Sequence, residues 1–282
     1  MFTESNILMY RCMTPLHCGA TEAGDGIDLP VVRERYTNFP IIPASSLKGV
    51  WRDICQRNNG WDKSKDNNEV TAAFGPDSDE ADKKNAGLLG FVDAQILYLP
   101  VRASVRTFLL LTCPLQINRF NEARAKNDLP TYDVVEHNDN GKIISESLSD
   151  IEELYLEDIK LTADSTALDL PTDGVPAHLK SRLALVSDDT FEWFASNAME
   201  IRAHNKLTES KKSDNLWYAE YVPAESIFFG QLLESPPFNA PAGTAAGTYS
   251  SKLMATKPHF FQIGGNESTG HGLINIIPVN QD

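Results

Sequence analysis

Short β-prone runs, cut by glycine, proline and polar breakers and with few helical patterns between them, restrict this chain more than any other feature. NILMYRC at 6–12 alternates in the manner of a strand, and LLGFVDAQILYLP and ASVRTFLLLTC follow around the Pro100–Arg102 turn. LALVS, MEIRAHNKL, NLWYAEYVPAESIFFGQLL and the two ends of HFFQIGGNESTGHGLINIIP complete the set. Helical patterns are rarer. Leu47, Val50, Trp51 and Ile54 recur at i, i+3, i+4 and i+7 and predict a helix over 44–58, entered past Pro43 with Ser45 and Ser46 as polar cap residues. Further helices are expected at 114–127, in DDTFEWFASNA behind Ser187 or Asp188, and at 247–256. Strands interleaved with so few helices predict an α+β chain, an antiparallel sheet with helices on one face, compatible with a ferredoxin-like core. One domain over 1–282 is expected, interrupted by insertions at about 60–86, 121–175 and 199–235. The first is read as a polar connection and the second as a loosely packed insertion. The third is read as a long hairpin with the charged tip TESKKSD.

Charge argues at first against a nucleic-acid partner. The 282 residues hold 25 Lys+Arg against 39 Asp+Glu, a formal net charge of -14, whereas phosphate-binding domains usually carry a basic excess. The excess is not evenly spread. Residues 31–60 are net +3 and residues 101–120, with Arg102, Arg106, Arg119 and no acid, are another +3. Residues 121–173 hold 14 acids against 4 bases and supply -10 of the total. A hydrophobic fraction of 41% is enough for a sizeable core. No stretch has the pattern of a signal peptide or the roughly 18–20 apolar residues of a membrane span, so the chain reads as cytoplasmic, without a membrane partner. Its four cysteines lack CxxC spacing and are expected to be reduced, structural thiols.

Two constellations stand out chemically. IGGNESTGHG places four glycines beside Ser268, Thr269 and His271, a composition that lets backbone N–H groups approach a phosphate or simply lets a loop turn tightly. It lacks the lysine of a Walker loop, and the β-like run after it does not suit a dinucleotide fingerprint. The other is the loop with His17, Glu22, Asp25 and Asp28, followed by Arg33, Glu34 and Arg35. Carboxylates beside bases are suited to a divalent cation or to positioning an attacking group, and loop aspartates also form turns. HExxH, GxSxG, Cys–His zinc and kinase signatures are absent.

Taken together, TPLHCGATEAGDGIDLPVVRERYTNFPIIPASSLKGVWRD, AFGP, AGLLGFVDAQILYLPVRASVRTFLLLTCP and IGGNESTGHG resemble the RAMP superfamily of CRISPR proteins. Within it they are most similar to the backbone subunits of type III-B (Cmr) effector complexes. The matching blocks span roughly 10–56, 73–120 and 258–276 in family order, with Ala44 where the family more often has glycine. The resemblance implies a modified RRM-like palm with inserted fingers and a thumb-like β-hairpin. It also implies copies of the chain stacked along a CRISPR guide RNA beside other Cmr subunits, and target RNA cut at regular intervals where the thumbs kink the duplex.

The resemblance makes Asp28 the catalytic residue. It assigns RNA binding to His17, Ser45, Ser46, Lys48, Arg52, Gly264, Gly265, Ser268, Thr269, Gly270 and His271, and Arg33 and Arg102 of the two basic blocks are further candidates for RNA binding. The expected activity is endoribonucleolytic, with Asp28 as general base or as holder of a divalent cation, Mg or Mn. A purely architectural RNA-binding subunit is the alternative, and a nucleotide-binding enzyme using Gly264–Gly272 is a third reading. Lys211, Lys212, Trp217 and Tyr218 are candidates for RNA contacts on the hairpin. The acidic insertion, with Asp150, Glu152 and Glu153, is expected to face solvent or a basic neighbour, away from RNA.

Overall fold

Ile7, Leu8, Met9 and Tyr10 are all buried, so the first strand has packing layers on both faces. In the computed structural model, which describes residues 2–20, 26–64, 68–76, 86–134, 136–238, 244–256 and 260–279, that strand is central. In chain order the elements are β1 (Glu4–Cys12), β2 (Ile41–Ile42), α1 (Ala44–Arg57), α2 (Glu69–Phe74), β3 (Leu89–Phe91), β4 (Ala94–Arg102), β5 (Phe108–Thr112), α3 (Pro114–Ala125), β6 (Lys142–Ile144), β7 (Glu153–Leu156) and β8 (Ile159–Asp164). There follow β9 (Leu183–Leu185), α4 (Asp188–Asn197), β10 (Glu200–Leu207), β11 (Ser213–Tyr221), β12 (Ile227–Glu234), α5 (Thr248–Ala255), β13 (Phe260–Gln262) and β14 (Leu273–Pro278).

The main sheet runs β13-β14-β1-β12-β4-β5-β9-β6-β8-β7, with β2 beside β4 and β3 beside β12. The chain is α+β as expected, but the sheet is mixed rather than antiparallel. β5 and β9 run parallel, as do β6 and β8. Parallel neighbours need a long crossover, which α3 and the following segment provide between β5 and β9. Helices cover both faces, not one. Leu8 and Tyr10 pack in a cluster with Leu47, Trp51, Tyr249 and Leu253 of α1 and α5, whereas Ile7 and Met9 pack in a cluster with Phe120 and Ala123 of α3.

Two of the expected insertions are parts of this core. In the first, Trp61 is buried against Tyr249, and α2, capped by the Asn68 side chain on the Thr71 N–H, buries Val70, Ala73 and Phe74. In the second, β6, β7 and β8 extend the sheet and bury Ile143, Leu154, Leu156 and Leu161. Their sheet edge then curls back onto the end of β4: Ala103 bridges Leu156, the Ser104 N–H donates to the Tyr155 carbonyl and the Glu157 N–H donates to the Arg102 carbonyl. The acids of this stretch masked a period-two pattern. In ELYL the leucines point in and Glu153 and Tyr155 point out.

The third boundary also shifts. β10 and β11 form a separate two-stranded hairpin, but the expected second run breaks at Pro223–Ser226. Its remainder is β12, paired with both β1 and β4 in the middle of the sheet. Proline has no N–H for a ladder, and Glu225 adopts φ 72, so the strand cannot continue through this point.

Among the described residues no helix is long and apolar enough to cross a membrane. All four cysteines are buried and unpaired, and burial pushes the Cys18 and Cys55 thiols up to about 12. If the acidic segment is core, Leu156→Ala should lower unfolding free energy by about 2–5 kcal/mol in urea titration, as for other buried leucines. A loosely attached insertion would lose less than about 1 kcal/mol.

Candidate nucleic-acid interface

Glu220 lies in an otherwise apolar and aromatic stretch of β11 and is buried. A carboxylate in that position needs partners, and those it has among the described residues belong to the loop that precedes β2. Its Oε2 accepts the Val31 N–H at 2.9 Å and its Oε1 accepts Arg33 Nη2 at 2.5 Å. The same guanidinium donates to the carbonyls of Ala195 and Asn38. Arg33, expected on RNA, is therefore an internal tie between this loop, β11 and α4.

The tie positions Asp28. Leu29 pairs with β11 through its N–H to the Tyr218 carbonyl and its carbonyl to the Glu220 N–H. Asp28 is exposed just ahead of that bridge, and its Oδ2 accepts the Tyr218 N–H at 2.8 Å. Its other oxygen has no partner among the described residues. Glu34 does not join it, being paired with Arg119 at 2.9 Å. Glu22 and Asp25 lie outside the described residues. No group of three His, Cys, Asp or Glu side chains arranged to hold a metal is present among the described residues.

His17 reaches the same hub from the other side. Its Nδ1 donates to the Glu220 carbonyl at 2.7 Å, which leaves Nε2 as the acceptor nitrogen beside Gly19. The His17 carbonyl accepts the Gly265 N–H, and a Cβ on Gly264 would overlap that carbonyl oxygen. Gly272 is equally constrained, since a Cβ there would overlap the Ile263 carbonyl. Both have φ near +80°, at +81° and +74°. These two glycines let backbone pass backbone. Ser268, Thr269 and Gly270 lie on the exposed rim of the loop, open to a ligand, and Gly270 has nothing near its Cβ position.

His271 points inward and closes a second network. Thr269 Oγ1 donates to the Asn266 carbonyl and so accepts from His271 Nδ1, while Arg202 Nη1 donates to His271 Nε2. Burial, and then the Arg202 charge, lowers the His271 pKa below its usual 6.5. Tyr221 lies 4.6 Å from this ring at a 31° tilt, accepts from Asn266 Nδ2 and hydrogen-bonds His204, which in turn stacks on Trp217. His271, expected to contact RNA, thus ties the glycine-rich loop to the base of the hairpin, and Trp217 is held by His204.

The helix entry differs from expectation. Pro43 is the cap, Ser45 and Ser46 lie inside the first turn, and the Ala44 N–H donates to Asp93 Oδ1 at 2.7 Å. One first-turn donor is thereby already satisfied by a carboxylate. Lys48 is half-buried with no hydrogen-bond or ion-pair partner among the described residues, and burial together with Arg52 lowers its pKa. Arg52 reaches toward the Pro76 carbonyl. A turn beyond Lys48, Trp51 packs edge-on against Phe261 of β13, the strand that feeds the glycine-rich loop. Arg102 is distant from this entry, at the opposite end of β4 from Asp93, about 30 Å along the chain. It pairs with Glu157 at 3.2 Å, and Arg106 pairs with Asp150 at 2.8 Å. Two acids of the insertion therefore pair with a basic block of their own chain rather than with a neighbouring subunit or solvent alone.

The hairpin divides by face. Register places Ile201, Ala203, Asn205, Leu216 and Tyr218 on one side, where Ile201, Leu216 and Tyr218 are 57%, 53% and 43% exposed. Arg202, His204, Trp217 and Tyr221 occupy the other. Sequence reasoning missed Glu220, Tyr221, Arg202 and His204. A lone carboxylate inside NLWYAEYV was the one available signal.

A family model described as the RAMP superfamily matches residues 10–275. The chain is 30% identical over 281 residues to the CRISPR system Cmr endoribonuclease Cmr4 of Pyrococcus furiosus, covering 94% of this chain and 92% of that protein. Its fold matches the crystal structure of oligomeric Cmr4 from Pyrococcus furiosus with a TM-score of 0.73 at 23% identity, over 98% of this chain and 99% of that one. It also matches the cryo-EM structure of the Type III-B Cmr-beta bound to cognate target RNA, with a TM-score of 0.75 at 18% identity, over 98% of each chain. At these identities the two structural likenesses establish the fold.

Two outcomes follow from the networks. Glu220→Ala should cost about 3–5 kcal/mol in denaturant unfolding, because it strands a buried guanidinium, and Glu220→Gln should cost less. For His271 the folded pKa lies below the unfolded one, so the unfolded chain takes up its proton first as pH falls through 6.5 and stability drops there. Melting temperature should therefore fall more steeply between neutral and mildly acidic pH for the parent than for His271→Gln; parallel slopes would refute the linkage.

Proposed function

The chain belongs to the RAMP superfamily, and from that premise we propose that it is a backbone subunit of a type III-B CRISPR effector complex and an endoribonuclease within it. Its copies would line a guide RNA together with other Cmr subunits in the cytoplasm, where buried thiols remain reduced, and cut complementary target RNA. In that reading the main sheet is the RRM-like palm, the β10–β11 hairpin the thumb and the inserted segments the fingers. The observation that carries it is the placement of Asp28, an exposed carboxylate pinned by one oxygen to the base of a projecting hairpin, with its other oxygen open.

The chemistry needs little more than position. Asp28 as general base would take the proton of a target 2′-OH, and that oxygen would attack the adjacent phosphorus as the 5′-oxygen leaves and takes a proton from solvent water, giving a 2′,3′-cyclic phosphate and a 5′-hydroxyl. In-line geometry requires the nucleotide to be pulled from its stack, a task suited to the exposed Leu216 and Tyr218 of the hairpin. DNA, lacking the hydroxyl, would be spared. Guide contacts are assigned to His17 Nε2, Ser45, Ser46, Lys48, Arg52, Arg102, Gly265 and the rim residues Ser268, Thr269 and Gly270. A divalent cation belongs to this proposal only as an ion shared by Asp28 and RNA phosphates, since the described side chains form no cage for it.

A purely architectural subunit is the second reading. It is favoured by the Asp28–Tyr218 hydrogen bond, which is the job of a loop-forming aspartate. Asp28→Asn separates the two because the amide oxygen still accepts that N–H. In a particle reconstituted with guide RNA and end-labelled complementary RNA, this variant should cleave at least about 100-fold more slowly while binding guide and target within a few-fold. Cleavage at the parent rate would remove Asp28 from the chemistry, and the same gels run in EDTA would test the cation.

A further inference from the structure

The net +3 of residues 101–120 does not exist as free charge in the folded chain. Arg102 faces Glu157, Arg106 faces Asp150 and Arg119 faces Glu34. The last pair is nearly buried, but the first two are open to solvent, with Arg102 72% exposed and its partner 31%. Exposed pairs of this kind add little to stability, so their presence is not explained by holding the fold together.

Their backbone settings are unusual as well. Glu157 sits in the tight turn between β7 and β8 with φ 46, and Arg106 sits in the turn between β4 and β5 with φ 59. Asparagine and glycine are the residues such left-handed positions favour. Each charged pair thus contains one member at a position where the backbone disfavours it. Strain kept at a charged surface residue points to a job for the side chain. Backbone pairing delivers one of the carboxylates: the Glu157 N–H donates to the Arg102 carbonyl, so the turn is anchored beside the arginine it neutralises.

We propose that the acidic insertion is an intramolecular competitor for the RNA backbone, with Glu157 and Asp150 occupying on Arg102 and Arg106 the places that phosphates take when RNA binds. This rests on the reading of the chain as an RNA-binding subunit and adds to it a residue pair that sets affinity. A carboxylate and a phosphate offer an arginine the same bidentate oxygen geometry, and the phosphate carries the stronger field of a polyanion. Binding therefore exchanges one anion for another, and only RNA held in place by several contacts, as in an assembled particle, wins both arginines. The released carboxylates then face solvent, which limits the gain from each contact and flattens the salt dependence.

The test measures a fluorescein-labelled single-stranded RNA by anisotropy with the full chain over a series of KCl concentrations. Glu157→Gln with Asp150→Asn should tighten binding about five- to tenfold and steepen the log–log salt slope by up to about 1.4, two single-strand phosphate contacts. Glu152→Gln with Asp158→Asn changes net charge equally, and neither residue pairs with a base among the described residues; it should stay within about twofold of the parent. Adding Arg102→Ala and Arg106→Ala to the first pair should abolish the gain. An equal gain from both acid pairs, or a gain that survives loss of the arginines, would overturn the competitor as a mere charge effect. Parent-like binding by the Glu157/Asp150 variant, while Arg102→Ala with Arg106→Ala weakens it, would overturn the competitor and leave the RNA-binding reading intact. Failure of every variant to bind RNA, alone and in the guide-loaded particle, would overturn both. Melting temperatures within a few degrees of the parent show that each variant is folded.

Discussion

A buried carboxylate cannot be left without donors, and Glu220 obtains them from a segment nearly 190 residues away in the chain, the Val31 N–H and the Arg33 guanidinium. That requirement welds the loop before β2 to the base of the hairpin. The rest of the candidate site hangs from it. Asp28 is carried to Tyr218, His17 is oriented by the Glu220 carbonyl, and α4 is drawn in through the Arg33 bond to Ala195. Because Glu220 and Arg33 neutralise each other inside the protein, the weld holds only while both are present, since loss of either partner would leave the other charge buried and uncompensated.

Close approach of backbones is the second constraint. The glycine-rich loop near the C-terminus is read most naturally as a phosphate cradle, yet Gly264 and Gly272 are required where one chain segment crosses another without room for a Cβ. The loop is thus divided by role. Its inner residues, with His271, lock onto Pro15–His17 and the hairpin base, and its outer rim of Ser268, Thr269 and Gly270 remains exposed. The same crossing brings Tyr221, His204 and Arg202 together, residues spread through a hairpin whose own two strands would be marginal in isolation.

Much of the fold was legible. Helix α1 appeared from four apolar residues at helical spacing, and β1, β9 and β14 from short alternating or apolar runs. The errors share a cause. The parallel pairing of β9 with β5, the place of β12 in the middle of the sheet and the closure of β7 onto Arg102 all depend on contacts between distant segments, which periodicity within a segment does not carry. Charge counted by segment failed in the same way: the basic block and the acidic insertion are separate in sequence and interlocked in space.

What the sequence determined by itself were the local elements, the reduced and buried character of the four cysteines, and the motif set that marks the RAMP superfamily, including the position of Asp28 ahead of Leu29–Pro30. Tertiary structure alone decided which of the candidate side chains are free. Arg33 and His271 were turned inward, Arg102 was paired, and Asp28 and Lys48 keep atoms without a partner among the described residues. The physical reason is that a residue's type fixes its hydrogen-bonding and charge capacity, whereas burial and the arrival of a distant partner determine whether that capacity is already filled.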